Sequence, residues 1–416
     1  MKIQRCKGMR DLSPAEMTVF RLVEGICRDG FIKWGYREVR TPTIEYLHLF
    51  TSAGTLTPGR LGKVYSFLDW DGWSGERVVL RPDGTIPVAR LYTESLQRGL
   101  ARLFYAANVF IFEEAGEKTR ERWQCGAELI GAGSALADAE LVALSLEILA
   151  NLGLKNIELR LSHAGLIRAL LEKFGLSAEE QHRMFDRILD GDAGALAGVS
   201  RESPEAGDII RPLLSLNGQS IGFLRNQKAI LARSLPEIGK PLDDFLKTVA
   251  LLDEMGLKYR INIASGAGFE YYTGLIFQLY IGAAKVGGGG RYDALIPSMG
   301  GGDVPASGFA LYLDQLMNLI KAEAVAPATK QIILIRALSD DAVKEAFKAA
   351  DSLRRAGYIA ELDLDGQEAR WILEVRGQAP LFTLVDKKKS VRFETQTLSD
   401  VLKRLEREDV AKNSFA

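Results

Sequence analysis

Helical and strand periods follow one another along this chain in an order that sketches two units. Ser13 is a good N-cap, Pro14 suits the first helical position, and Glu16 stands three residues after the cap. Apolar residues then recur at helical spacing until Gly35, which predicts a helix. "REVRTPTIEYLHLF" reads as a strand broken by Pro42. "ERVVLRPDGTIPVARLYTES" reads as strand, turn and helix, with Asp83-Gly84 as the turn signal. "LFYAANVFIFEEAGEKTRERWQCGAELIGAG" predicts two antiparallel strands around a charged loop near Ala115 to Arg122. "DAELVALSLEILANLG" predicts a helix with an acidic first turn, and "NIELRLSH" a strand. Residues from about 165 to 258 become mostly helical around the polar stretch "DGDAGALAGVSRESPEAGD", and read as an insertion. Strand patterning returns in "YRINIASG" and "GLIFQLYIG". "KVGGGGRYDALI" follows, and "ASGFALYLDQLMNLI" starts the last helix of the body.

"KAEAVAPATK" reads as a linker. Beyond it come "QIILIRA", an amphipathic helix "DDAVKEAFKAADSLRRAG", strands "YIAELDLD", "PLFTLVD" and "VRFETQ", and a charged final helix. Such alternation predicts a small α/β domain. The expected division is a body over residues 1–325 and a C-terminal domain over 326–416. The overall class is α+β: an antiparallel sheet decorated by helices, interrupted by the helical insertion.

Length and composition agree with this division. A chain of 416 residues is too long for one ordinary core. Its 47% apolar and 26% charged residues are ordinary for a globular protein. A net charge of −1 offers no sign that a polyanion is the main partner. Cys6, Cys27 and Cys125 have no paired spacing, which reads as reduced thiols in a cytoplasmic protein. The opening "MKIQRCKGMRDLSP" has no apolar core of signal length, and no run reaches the ~18 apolar residues of a membrane span. His48, His163 and His182 have no ligand-like companions, so no metal is expected.

Three acidic residues fall at strand ends or turns: Asp83, Glu128 and Glu270. Gln124 and Glu128, four apart in a strand, share a face. Opposite Tyr272, such a pair suits a small cationic ligand; equally, Glu128 can pair with a surface arginine. Tyr271 and Tyr272 either wall a binding site or fill a core. The glycine run before Arg291 lets a backbone pass close to a ligand or to another strand, and it lacks both the dinucleotide and the P-loop spacing.

The order of these segments resembles the histidyl-tRNA synthetase family. "KGMRDLSPAEM" resembles its opening segment and "GYREVRTPTIEYLHLF" its motif 1, the dimer-forming strand. "RPDGT" resembles the turn that holds the amino group of histidine. "NVFIFEEAGEKTRERWQCGAELIG" resembles motif 2, "GAGFEYYTG" and "VGGGGRYDALI" the two histidine motifs, and "SGFALYLDQL" motif 3. The resemblance covers roughly residues 5 to 320. It implies a histidine pocket of Asp83 (where a Glu is usual), Thr85, Gln124, Glu128, Tyr271, Tyr272 and Tyr292. It also implies three ATP-handling arginines, and these positions hold Ile111, Ala267 and Gln315. Adenylate formation depends on preorganised cations, each typically worth about 2.7–4 kcal/mol. Arg120 and Arg122 stand nearby in a motif 2 loop one residue shorter than usual.

A synthetase-like pocket without those arginines resembles a paralogous family, the regulatory subunits of ATP phosphoribosyltransferase. That resemblance implies a non-catalytic chain without cofactor, a homodimer within a hetero-oligomer, and a short-form catalytic subunit as partner. It further implies feedback sensing of free histidine, at the opening step of histidine biosynthesis. The C-terminal unit resembles a remnant of an anticodon-binding domain, and its near-neutral charge argues against nucleic acid. A divergent histidyl-tRNA synthetase is the alternative, and a stand-alone histidine or tRNA sensor a third.

Overall fold

The computed structural model describes residues 3–52, 61–70, 75–96, 99–112, 119–173, 177, 180–181, 184, 217–218, 220–231, 236–262, 271–320 and 331–413. His182, Ala267, Glu270, the linker and the whole polar stretch of the insertion lie outside them. The chain divides into two compact units, Met1–Val325 and Ala326–Ala416.

In the first unit the strands are β1 (Arg37–Glu38), β2 (Ile44–Tyr46), β3 (Ser66–Trp70), β4 (Gly75–Leu80), β5 (Ala101–Phe110) and β6 (Glu121–Ile130). They continue with β7 (Ile157–His163), β8 (Asn217–Gly218), β9 (Arg260–Asn262), β10 (Leu275–Ile281), β11 (Ala284–Arg291) and β12 (Ala306–Tyr312). The helices are α1 (Pro14–Lys33), α2 (Leu47–Ser52), α3 (Thr85–Leu91), α4 (Ala135–Asn151), α5 (Ala164–Lys173), α6 (Ile221–Leu231), α7 (Gly239–Glu254) and α8 (Leu313–Leu319). Among the described residues, nine strands form one sheet in the order β1-β5-β6-β12-β11-β10-β7-β9-β8, and β2-β4-β3 form a small second sheet. From β5 to β7 every pairing is antiparallel.

Local chemistry accounts for much of this. Ser13 and Glu16 close a capping box on α1: Glu16 N–H donates to Ser13 Oγ at 3.3 Å, and Ser13 N–H to Glu16 Oε2 at 2.7 Å. Pro42 separates β1 from β2 and sends them to different sheets. Leu47–Ser52 is helical where a strand was expected, because Leu47 and Phe50 take helical spacing and Phe50 is fully buried. Ala306–Tyr312 is likewise a strand where helix was expected, with α8 starting only at Leu313. Pairing on both edges, to β6 and β11, overrides its local pattern.

Register aligns whole rows across the large sheet. Phe104, Ala127, Phe309, Gly289, Phe277 and Leu161 share one row. On that face Phe31 of α1 stacks on Phe104, with ring centroids 5.1 Å apart. The next row, on the opposite face, is Tyr105, Gly126, Ala310, Gly288, Gln278 and Arg160. One face is therefore an apolar floor for helices, and the other carries polar side chains between glycines.

The second unit contains β13 (Ile332–Ala337), α9 (Val343–Arg355), β14 (Ile359–Leu362), β15 (Trp371–Val375), β16 (Phe382–Asp386), β17 (Val391–Thr395) and α10 (Leu398–Asn413). Its sheet runs β14-β13-β15-β16-β17, parallel about β13 and antiparallel beyond β15. The central strand β15 was absent from the sequence reading. "WILEV" is too short to show a period, and its burial on both sides comes from its neighbours. Among the described residues no helix is long and apolar enough to cross a membrane.

Candidate functional site

The polar face of the large sheet ends in a cavity whose lining includes Asp83, Thr85, Gln124, Tyr271, Tyr272 and Tyr292. The "RPDGT" turn enters it from β4. Arg81 is buried and anchors the turn: its guanidinium donates to Thr41 O, Pro42 O, Asn108 O and Asn108 Oδ1 at 2.8–3.0 Å. Asp83 then caps α3, accepting Ile86 N–H on Oδ1 at 2.9 Å. Burial pushes its carboxyl up to about 6, against the pull of the backbone N–H groups of Ile86, Thr85 and Gly84. One carboxylate thus holds the helix start and faces the cavity.

Thr85 opens α3 and donates to Glu128 Oε1 at 2.8 Å. Tyr292 O–H donates to Glu128 Oε2. Glu128 is 0% exposed, and burial pushes its carboxyl well above the ordinary range. It lies behind the lining rather than on it. Both carboxylate oxygens are engaged, and they orient the Thr85 and Tyr292 hydroxyls. Gln124 Nε2 donates to Tyr105 Oη at 3.0 Å. Tyr271 packs against Tyr272 at 5.2 Å and edge-on against Tyr292 at 5.5 Å.

Glycines make this crowding possible. A Cβ on Gly308 would overlap the Glu128 carboxylate, and one on Gly84 or Gly126 would overlap the Tyr105 ring. A Cβ on Gly290 would stand 2.9 Å from the Tyr272 ring and against Leu275 O. The glycine run that read as either ligand approach or strand approach brings its backbone close to neighbouring strands. It is the interior strand β11, and Gly290 seats a tyrosine of the cavity.

All seven residues singled out from the sequence are buried in this one neighbourhood. Sequence reasoning missed Tyr105, Tyr312, Gln278, Lys285 and Arg168. The first four are cavity-facing or next to it only through the register of β5, β12, β10 and β11. Arg168, on α5, donates to Tyr272 O at 2.9 Å and so fixes the backbone of the tyrosine wall. At the expected phosphate end, Ile111 follows β5 and donates its N–H to Arg120 O at 2.9 Å. Gln315 is exposed on α8. Arg120 lies 4.3 Å over the Phe112 ring and donates to Tyr65 Oη at 3.3 Å; Arg122 Nε donates to Thr119 O at 3.2 Å.

Residues 8–316 match the family model described as histidyl-tRNA synthetase. An ATP phosphoribosyltransferase regulatory subunit from Dehalococcoides mccartyi is 51% identical over 380 residues, covering 90% of this chain and 92% of the relative. A histidine–tRNA ligase from Methanocaldococcus jannaschii is 34% identical over 391 residues, covering 89% and 88%. A crystal structure described as an ATP phosphoribosyltransferase regulatory subunit/histidyl-tRNA synthetase from Bacillus halodurans superposes with a TM-score of 0.75 at 25% identity, covering 91% of this chain and all of that one. The apo histidyl-tRNA synthetase of S. aureus, 22% identical with a TM-score of 0.67, covers 97% of this chain and all of its own, and shares the fold.

Proposed function

The chain belongs to the histidyl-tRNA synthetase family and, within it, to the ATP phosphoribosyltransferase regulatory subunits of histidine biosynthesis, and from that premise we propose that it activates a short-form catalytic chain and senses free histidine. It is the non-catalytic subunit, and phosphoribosyl transfer lies on a separate polypeptide.

The observation that carries the histidine reading is the cavity itself. It presents a buried carboxylate, Asp83, four tyrosines and the Gln124 amide in a space lined by glycine backbone. A buried carboxylate costs several kcal/mol unless it is paired, and the ligand's ammonium group supplies the partner. Thr85, Tyr292 and the tyrosine wall offer hydroxyls and ring faces to an imidazole. Where adenylate chemistry needs arginines, Ile111 and Gln315 stand, so histidine is held and not activated. In this reading the chain works as a homodimer inside the hetero-oligomer.

Inhibition then passes between polypeptides as a shift between two assembly states, with a coupling typically of about 1–3 kcal/mol. The test is to co-purify the chain with its organism's short catalytic chain and assay phosphoribosyl transfer with and without it. The catalytic chain is expected to be inactive alone, active in the complex, and inhibited by histidine only there. By linkage, phosphoribosyl pyrophosphate should weaken histidine binding to the complex and leave the isolated chain unchanged. A catalytic chain equally active alone would sink the activating role. Inhibition by histidine without this chain would move the sensor elsewhere.

A further inference from the structure

The lining of the cavity includes a carboxylate, Asp83, and a cation. Among the described residues that line it, Lys285 is the one with a positive charge. Regular strand geometry would not put it there. Along β10 and β11 the pairs are Ile276↔Gly290, Phe277↔Gly289, Gln278↔Gly288 and Leu279↔Gly287, but the next is Tyr280↔Lys285. The ladder passes over Val286. Residues paired across an antiparallel ladder present their side chains to the same face. Gln278 and Gly288 are on the cavity face, and Tyr280 shares it, being two residues from Gln278. Lys285 therefore shares it too. Gly288 and Lys285 are three apart, a spacing that unbroken alternation would send to opposite faces. The bulge turns the lysine toward the site, while Val286 is 0% exposed in the core.

The neighbouring register shows what Lys285 stands beside. Leu311 pairs with Gly287 on β11 and with Cys125 on β6, and one residue further on Tyr312 pairs with Gln124. Gln124, Tyr312 and Lys285 are thus near neighbours on three adjacent strands, and strands lie about 4.8 Å apart. Gln124 and Lys285 are consequently separated by about 10 Å of backbone with Tyr312 on the strand between, a span their long side chains can reach across to hold a small anionic group. An amino acid is a zwitterion, so a pocket that buries it must satisfy both charges. Asp83 accounts for the ammonium.

We propose that Lys285 is the anion-binding residue of this pocket and takes the α-carboxylate of the bound amino acid, with Gln124 on the other side. This rests on the reading of the cavity as a histidine site. A nucleotide phosphate shares the same anionic chemistry, so the experiment separates the two sources.

Full-length protein and its Lys285→Met and Lys285→Arg variants are titrated calorimetrically with L-histidine, with L-histidinol, which carries CH2OH in place of the carboxylate, and with adenosine monophosphate. The wild type should prefer histidine to histidinol. Lys285→Met should weaken histidine about tenfold or more and leave histidinol within about twofold, as expected for losing a charge-assisted contact. Lys285→Arg should recover most of the preference, and unchanged melting temperatures confirm that each variant folds. Histidine binding unchanged in Lys285→Met overturns the proposal. Equal loss for histidine and histidinol makes Lys285 a packing residue and overturns it as well. Loss confined to adenosine monophosphate assigns the anion to a nucleotide phosphate, and the histidine reading survives alone. A wild type that binds neither histidine nor histidinol removes that reading, and this one with it.

Discussion

The two ends of one sheet face have had different fates. At the end with the cavity Asp83, Thr85, Gln124, Glu128 and Tyr292 are buried, and several are tied to one another across β6, α3 and the segment after β11. At the end where the family resemblance implies phosphate contacts, Ile111 is half-buried just after β5, and Gln315 is exposed. The difference has a structural cause. Side chains at the rim are replaceable because surface substitutions usually change stability by less than about 0.5 kcal/mol. Side chains woven into the core cannot go one at a time, because each leaves a buried partner unsatisfied. Chemistry located at the rim is lost easily, whereas a pocket that is also core persists.

The largest expected effect is at the phosphate end. Histidine-dependent pyrophosphate exchange should be at background, since removing one preorganised donor commonly costs 10²–10³ in rate and two such positions here carry Ile111 and Gln315. Robust exchange, with or without Arg120 or Arg122 acting as substitutes, would erase the contrast between the ends and restore a synthetase.

Next in size is Gly290→Ala. Its Cβ would press on Leu275 O and the Tyr272 ring, and overpacking of this kind typically costs about 1–3 kcal/mol. Urea unfolding should show that loss together with weakened histidine binding. Gly239→Ala, with nothing within 4 Å at the start of α7, is the control and should be neutral or slightly stabilising. A Gly290→Ala chain as stable and as tight-binding as wild type would mean that the tyrosine wall is not seated on β11.

The smallest effect is one of pH. Asp83, pushed up to about 6 by burial, is drawn down by a ligand ammonium, so binding below pH 6 expels a proton. Affinity should be full above about pH 6 and fall by up to tenfold per unit below it. Asp83→Asn should bind more weakly at pH 7 and show a shallower slope. Protonation of the ligand's own imidazole is common to both proteins and drops out of the comparison. Identical slopes would take Asp83 off the ammonium.

What the sequence determined by itself was the part written in local rules. The capping box on α1, the break at Pro42, the Asp83-Gly84 turn and the paired strands β5 and β6 follow from near neighbours, and the order of motifs named the family. The seven candidate residues were legible because their motifs resemble those of a known family, and the structure buries all seven in one neighbourhood. What only the tertiary structure decided depends on partners distant in sequence. The glycine run became an interior strand because β10 and β12 flank it. Tyr105 entered the site because Gly84 and Gly126 leave room for its ring. Glu128 proved to stand behind Tyr292 rather than in the open, and a single bulge after Leu279 decided which way Lys285 faces. A strand's residues alternate by rule, but which neighbour they meet, and where the alternation slips, is settled only when the strands pair.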